Sequence, residues 1–166
     1  MSGVDDFKRQ NDELRSGLND VVALRDDLGS LPVDEVRQRL DTVLAFFRHE
    51  VGPHARAEER VFYPMVADML GVDLGMRMVG EHRYISELVD DVTEARHHVI
   101  SERVIPQSLY GRLGLLAEVA KGHLLLEEEV LGRMIDRGLT EGQLYALQER
   151  MAEATSVAAK ELSRPR

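Results

Sequence analysis

The segment HARAEERVFYPMV occupies residues 54–66, and HLLLEEEVLGRMI occupies residues 123–135. Aligned on their histidines, the two agree in identity or type at His54/His123, Glu58/Glu127, Glu59/Glu128, Val61/Val130, Phe62/Leu131, Met65/Met134 and Val66/Ile135. The apolar residues of each recur at three- and four-residue spacings, which is the helical period and not the alternation of a strand. Helical residues four apart differ by about 40° around the axis and about 6 Å along it, so His54 and Glu58 can reach one point. The same holds for His123 and Glu127. Two helices that each aim a His–Glu pair inward imply a helical fold with a shared polar interior.

The repeat extends outward. Asn11, Leu14 and Val21 line up with His82, Ile85 and Val92, again about 70 residues on. The two halves therefore read as copies of one helical hairpin.

The helical period predicts a first helix from about Val4 to Leu28, stopped by Gly29-Ser30, and a second from near Asp34 to Leu70. Gly52-Pro53 lies inside the second and should kink or briefly break it. Gly71 to Gly75 reads as a loop. A third helix covers about Met76 to His98, a loop spans Ser101 to Pro106, and a fourth helix covers about Ser108 to Ile135. Thr140 with Gln143 has the spacing of a capping box for a fifth helix, fraying near Arg164. No stretch reads as a strand. The expected fold is all-α: an up-down-up-down four-helix bundle over residues 1–138. Residues 139–166 add a C-terminal helix that packs on the bundle or on a partner, a homodimer included.

The 166 residues carry 21 basic and 30 acidic side chains, six histidines and no cysteine. Without cysteine there is no disulfide, thiolate zinc site, iron–sulfur cluster or cysteine nucleophile. A net charge of −9 argues against a nucleic-acid partner. No apolar run is long enough to span a membrane. The acidic start, Met1 to Asp6, has no signal-peptide features, so a cytoplasmic location is expected.

Imidazole and carboxylate together suit iron, manganese or zinc. His82 adds a third imidazole from a third helix. One His-x-x-x-Glu pair is common on helices that bind nothing; two at matching places in a repeat are not. Buried unpaired carboxylates would also be costly without a cation. His97 and His98 lie too far along their helix to join and suit a solvated helix end. His49 is off the His54 face. Glu59, Glu128 and Glu129 point away from the stripe, toward solvent or behind the ligands. Tyr63 and Tyr84 read first as core aromatics, with a hydrogen bond to a bound oxygen species as the other option. The spacings for ferritin-like sites, zinc proteases, nucleophile elbows and phosphate loops are missing.

The segments Lys8–Leu14, His54–Glu59, Glu81-His82 and His123–Glu128 resemble the hemerythrin-like, or HHE cation-binding, domain over about residues 4–136. The family pattern is His on the first helix, His-x-x-x-Glu on the second, His on the third and His-x-x-x-Glu on the fourth. The resemblance implies a non-haem di-iron centre, oxo- or hydroxo-bridged. His54, His82 and His123 would be terminal ligands, and Glu58 and Glu127 would bridge. Asn11 stands where the family has its first His, and an amide oxygen is a weak iron ligand. Glu50, one turn before His54, could compensate if the Pro53 kink allows; otherwise it is solvated.

Oxygen-carrying hemerythrins have a second His one turn after the third-helix ligand, where this chain has Ser86. Their fourth-helix acid is an Asp five residues after the His, whereas Glu127 is four after. The resemblance thus implies reaction with, or sensing of, a small oxidant (peroxide, nitric oxide or dioxygen) under oxidative or nitrosative stress, and not oxygen carriage. A non-enzymatic metal-dependent sensor, or a metal-poor bundle left by the loss of the first His, are the alternatives. No catalytic residue or organic cofactor site is identified from the sequence.

Overall fold

The computed structural model describes residues 3–163 and is built of helices throughout, with no strand among the described residues. Helix α1 is Gly3–Asp27. Helix α2 runs without a break over residues 33–70. Helix α3 is Val72–Glu102, α4 is Ser108–Asp136 and α5 is Glu141–Leu162. The first four form the expected up-down-up-down bundle. The expected fraying near Arg164 lies outside the described residues.

Helix α2 departs from expectation at its prolines. Gly52-Pro53 does not break it. Phe47–Val51 forms a wider π turn, in which the Gly52 N–H reaches back to the Phe47 carbonyl. Glu58–Phe62 forms a second, with Tyr63 N–H bonded to the Glu58 carbonyl. The N–H that closes each wide turn belongs to the residue before a proline, Gly52 before Pro53 and Tyr63 before Pro64. A proline has no N–H to give, and its ring crowds the carbonyl four residues back. The π turn opens the helix there, and π turns of this kind concentrate at functional sites.

The connection between α2 and α3 is shorter than expected. Gly71 alone reverses the chain, at φ 124°, a value that favours glycine. Gly75 is not in a loop: it is buried inside α3. A β-carbon there would sit 3.3 Å from Ala67 Cβ and from the Tyr63 carbonyl oxygen. Glycine at this point lets α3 lie close against α2. Helix α3 also runs past His98 to Glu102, where Arg103 ends it in a left-handed conformation, φ 53°. The Thr140–Gln143 capping box forms as expected and starts α5.

Two apolar clusters fill the interior. One joins α1, the first half of α2, α3 and α4 around Leu18, Val21, Leu40, Leu88 and Leu113. The other joins Phe7, Phe62, Val66, Met78 and Met134 to Leu144, Leu147 and Met151 of α5. Helix α5 therefore packs along α2 and against α1. Glu161 near its end pairs with Arg60 of α2 at 2.8 Å. No helix is long and apolar enough to cross a membrane among the described residues.

Candidate metal centre

Among the described residues, the buried polar side chains are Asn11, Glu58, His123 and Glu127. Helices α2, α3 and α4 bring Glu58, His82, His123 and Glu127 together, each offering a donor atom within 4.8 Å of the others. His54 lies on the outer side of Glu58, its Nε2 2.7 Å from Glu58 Oε1. The other Glu58 oxygen faces His82 Nε2 at 3.2 Å. Glu58 thus presents one oxygen to each of two imidazoles on different helices. Glu127 Oε1 lies 3.0 Å from His123 Nε2.

Several of these atoms lack a hydrogen-bond partner. His54 Nε2 and Glu58 Oε1, although close, are misaligned, and both are orphaned; so is Glu127 Oε2. Buried polar atoms are nearly always paired, and leaving one unpaired costs about 1–3 kcal/mol, more when charged. Five orphaned atoms on four residues, with imidazole and carboxylate donors predominating, fit a divalent or trivalent cation of borderline hardness.

Asn11 accounts for the other two. It is fully buried on the inward stripe of α1, between Phe7 and Leu14, and neither Oδ1 nor Nδ2 has a partner. Glu50 is exposed within the first π turn, and it is not among the residues brought together. His49, His97, His98 and Tyr84 are exposed as well.

Two acids hold the imidazoles from behind. Glu59 Oε1 lies 3.0 Å from His82 Nδ1, and Glu81 Oε2 lies 2.8 Å from His123 Nδ1. A carboxylate on Nδ1 fixes the proton there and leaves Nε2 as a lone-pair donor. Glu128 instead pairs with Arg15 at 2.7 Å, and Glu129 pairs with Arg133 on the surface.

Tyr63 also belongs to the cluster. Its hydroxyl donates to Glu127 Oε1 at 2.9 Å and lies 2.8 Å from His82 Nε2 and 3.0 Å from His123 Nε2. In an α-helix, residues five apart differ by about 140° around the axis, which would turn Tyr63 away from Glu58. The π turn over Glu58–Phe62 puts residues five apart about one turn apart, on the same side. Pro64, next in sequence, is the signal for that turn.

Without metal, protons supply the positive charge. Burial opposes protonation of His54, but the Glu58 carboxylate outweighs it and pushes the imidazole up to about 9. Burial likewise opposes protonation of His123, and Glu127 pushes it up to about 9. For Glu127, burial and the neighbouring Glu58 charge push the carboxyl up to about 7. Burial would raise Glu58 too, but His54 holds it below the usual carboxylate range. Burial and the two carboxylates keep the Tyr63 phenol protonated far above its ordinary value.

A cleft of about 1100 Å³ between α2 and α3 reaches His54, Glu58, His82 and His123. Its walls include Leu44, Phe47, Val51 and Val89, and Arg48 and Arg83 also line it.

The family model described as Hemerythrin HHE cation binding domain matches residues 2–135. No curated protein and no solved structure shows a significant match.

Proposed function

The chain belongs to the hemerythrin HHE cation-binding family, and on that premise we propose that it holds a non-haem di-iron centre that reacts with a small oxidant. His54, His82 and His123 supply imidazole donors, and Glu58 and Glu127 supply carboxylates shared between the two ions. Manganese or zinc would suit the same donors. One observation carries the reading: buried His54, Glu58 and Glu127 atoms face one another without hydrogen-bond partners, an arrangement that a bound cation relieves.

Bound iron supplies redox chemistry toward peroxide, nitric oxide or dioxygen. The chain does the rest. Glu58 places one oxygen toward His54 and the other toward His82, a disposition suited to bridging. Glu59 and Glu81 keep Nε2 of His82 and His123 free to bind. The cleft admits a small molecule from solvent to the His54 side, while the two apolar clusters keep water from the other sides.

To test this, the protein is loaded with iron, its metal content is measured, and peroxide consumption is followed. Glu58→Ala should lose both the metal and the turnover. Full metal retention in that variant would contradict the assignment of Glu58.

A second reading, a metal-dependent sensor, is favoured by one contact. Glu161 of α5 pairs with Arg60, and Leu162 packs near Gly52, on the helix that carries His54. A change at His54 could thus be felt by α5. Metal-dependent protection of α5 from proteolysis without turnover would support this reading; identical cleavage with and without metal would count against it.

A further inference from the structure

We infer that Tyr63 is itself a metal ligand, completing through its phenol oxygen the position formed by His82, His123 and Glu127. The inference rests on the reading above, that the cluster binds metal, and goes beyond it by adding a donor of a different chemical class.

The argument starts from the donor atoms. Glu59 and Glu81 hold the Nδ1 atoms of His82 and His123, so both imidazoles turn Nε2 inward. Glu127 Oε1 turns to the same place. These three atoms converge on one hydroxyl, that of Tyr63. In the metal-free protein hydrogen bonds link them, and a cation in their midst takes all four as ligands.

The spacing allows this without rearrangement. Ligand atoms at about 2.1 Å from one metal ion stand about 3.0 Å from their neighbours in an octahedral shell. The Tyr63 oxygen lies at 2.8, 3.0 and 2.9 Å from His82 Nε2, His123 Nε2 and Glu127 Oε1, and His123 Nε2 lies 3.0 Å from Glu127 Oε1. The ring is held in place: Tyr63 is 2% exposed and packs against Phe62 and His82. Its backbone is set by the π turn before Pro64.

Binding exchanges a proton for the metal. The O–H bond of Tyr63 breaks, the phenolate oxygen bonds the metal, and the proton leaves to solvent. No electron is transferred. The resulting site would differ on its two sides: His82, His123 and Tyr63 would serve one ion, and His54, beside the other face of Glu58, the second.

Ferric-loaded protein tests this by absorption and resonance Raman spectroscopy. The expected result is a visible phenolate-to-iron charge-transfer band with enhanced tyrosine ring modes, lost in Tyr63→Phe. Zinc loading should produce an ultraviolet signal of ionised tyrosine, again lost in Tyr63→Phe. The remaining tyrosines Tyr84, Tyr110 and Tyr145 are exposed, and their Phe variants should keep both signals. Full metal loading of the parent without phenolate bands overturns the inference and leaves the metal-binding reading standing. So does an unchanged spectrum in a folded Tyr63→Phe protein. Failure of the parent to bind metal overturns both. The parent's spectra decide the matter even if Tyr63→Phe does not fold.

Discussion

Glu81, one of thirty acidic residues, enters the sequence reading only as the neighbour of His82, yet its oxygen sits 2.8 Å from His123 Nδ1. Acids behind metal-bound imidazoles typically contribute 10–100-fold to metal affinity. Glu81→Ala should therefore weaken metal binding by about that factor in a protein that still folds, as competition with a chelator and circular dichroism would show. The protons of the centre make a second prediction. His54 and His123 hold theirs up to about 9, against an ordinary value of 6.5, and Glu127 up to about 7, against 4.5. Groups raised in the folded state stabilise below their ordinary values and lose that contribution as pH rises through the raised ones. Glu58 is shifted the other way, and its contribution is lost in acid. The groups facing these four are one another, Tyr63, His82 and Glu81. The metal-free protein should thus be most stable near about pH 5 and lose melting temperature toward pH 9. Stabilisation by metal should grow over the same range, because metal replaces those protons. A metal-free melting temperature that climbs steadily from pH 5 to 9 would contradict this.

At the scale of the element, α2 decides the geometry. Its His-x-x-x-Glu spacing was legible because Gly52–Ala57, the stretch holding His54, is regular α-helix and Glu58 follows directly. Tyr63 was not legible as part of the centre, since regular spacing turns it away and only the π turn brings it back. The expected kink at Pro53 came from the right physical cause, the missing N–H, but a wider turn absorbs it. Gly71 and Gly75 looked like the ends of a loop; Gly71 makes the turn alone, and Gly75 serves close packing against Ala67. Replacing the exposed Pro64 by Ala removes the ring that favours the second π turn. This variant should keep its helix content and melting temperature while binding metal several-fold more weakly. Metal titration with circular dichroism checks both. Unchanged affinity would show that packing alone holds the turn.

For the whole molecule, the centre sits between two apolar clusters, one of which depends on α5. Leu144 and Leu147 are each 2% exposed. The family match ends at residue 135, before this helix begins. Leu147→Ala should cost about 2–5 kcal/mol of stability in denaturant unfolding. A loss below about 0.5 kcal/mol, the level of a surface substitution, would mean that α5 is not part of the core. The bundle itself could be read from the repeat, because each half hides one apolar stripe and needs the other half to cover it. The contribution of α5 could not, since its apolar positions fit packing on the bundle or on another chain equally well. Asn11 was visible as the missing histidine, and its burial without a partner shows what that change leaves behind.

The most direct test of the account is the metal content of the iron-loaded protein, measured alongside Glu58→Ala. Two metal ions per chain in the parent, and their loss in the variant, are predicted. Less than one ion per chain in a folded parent would contradict it.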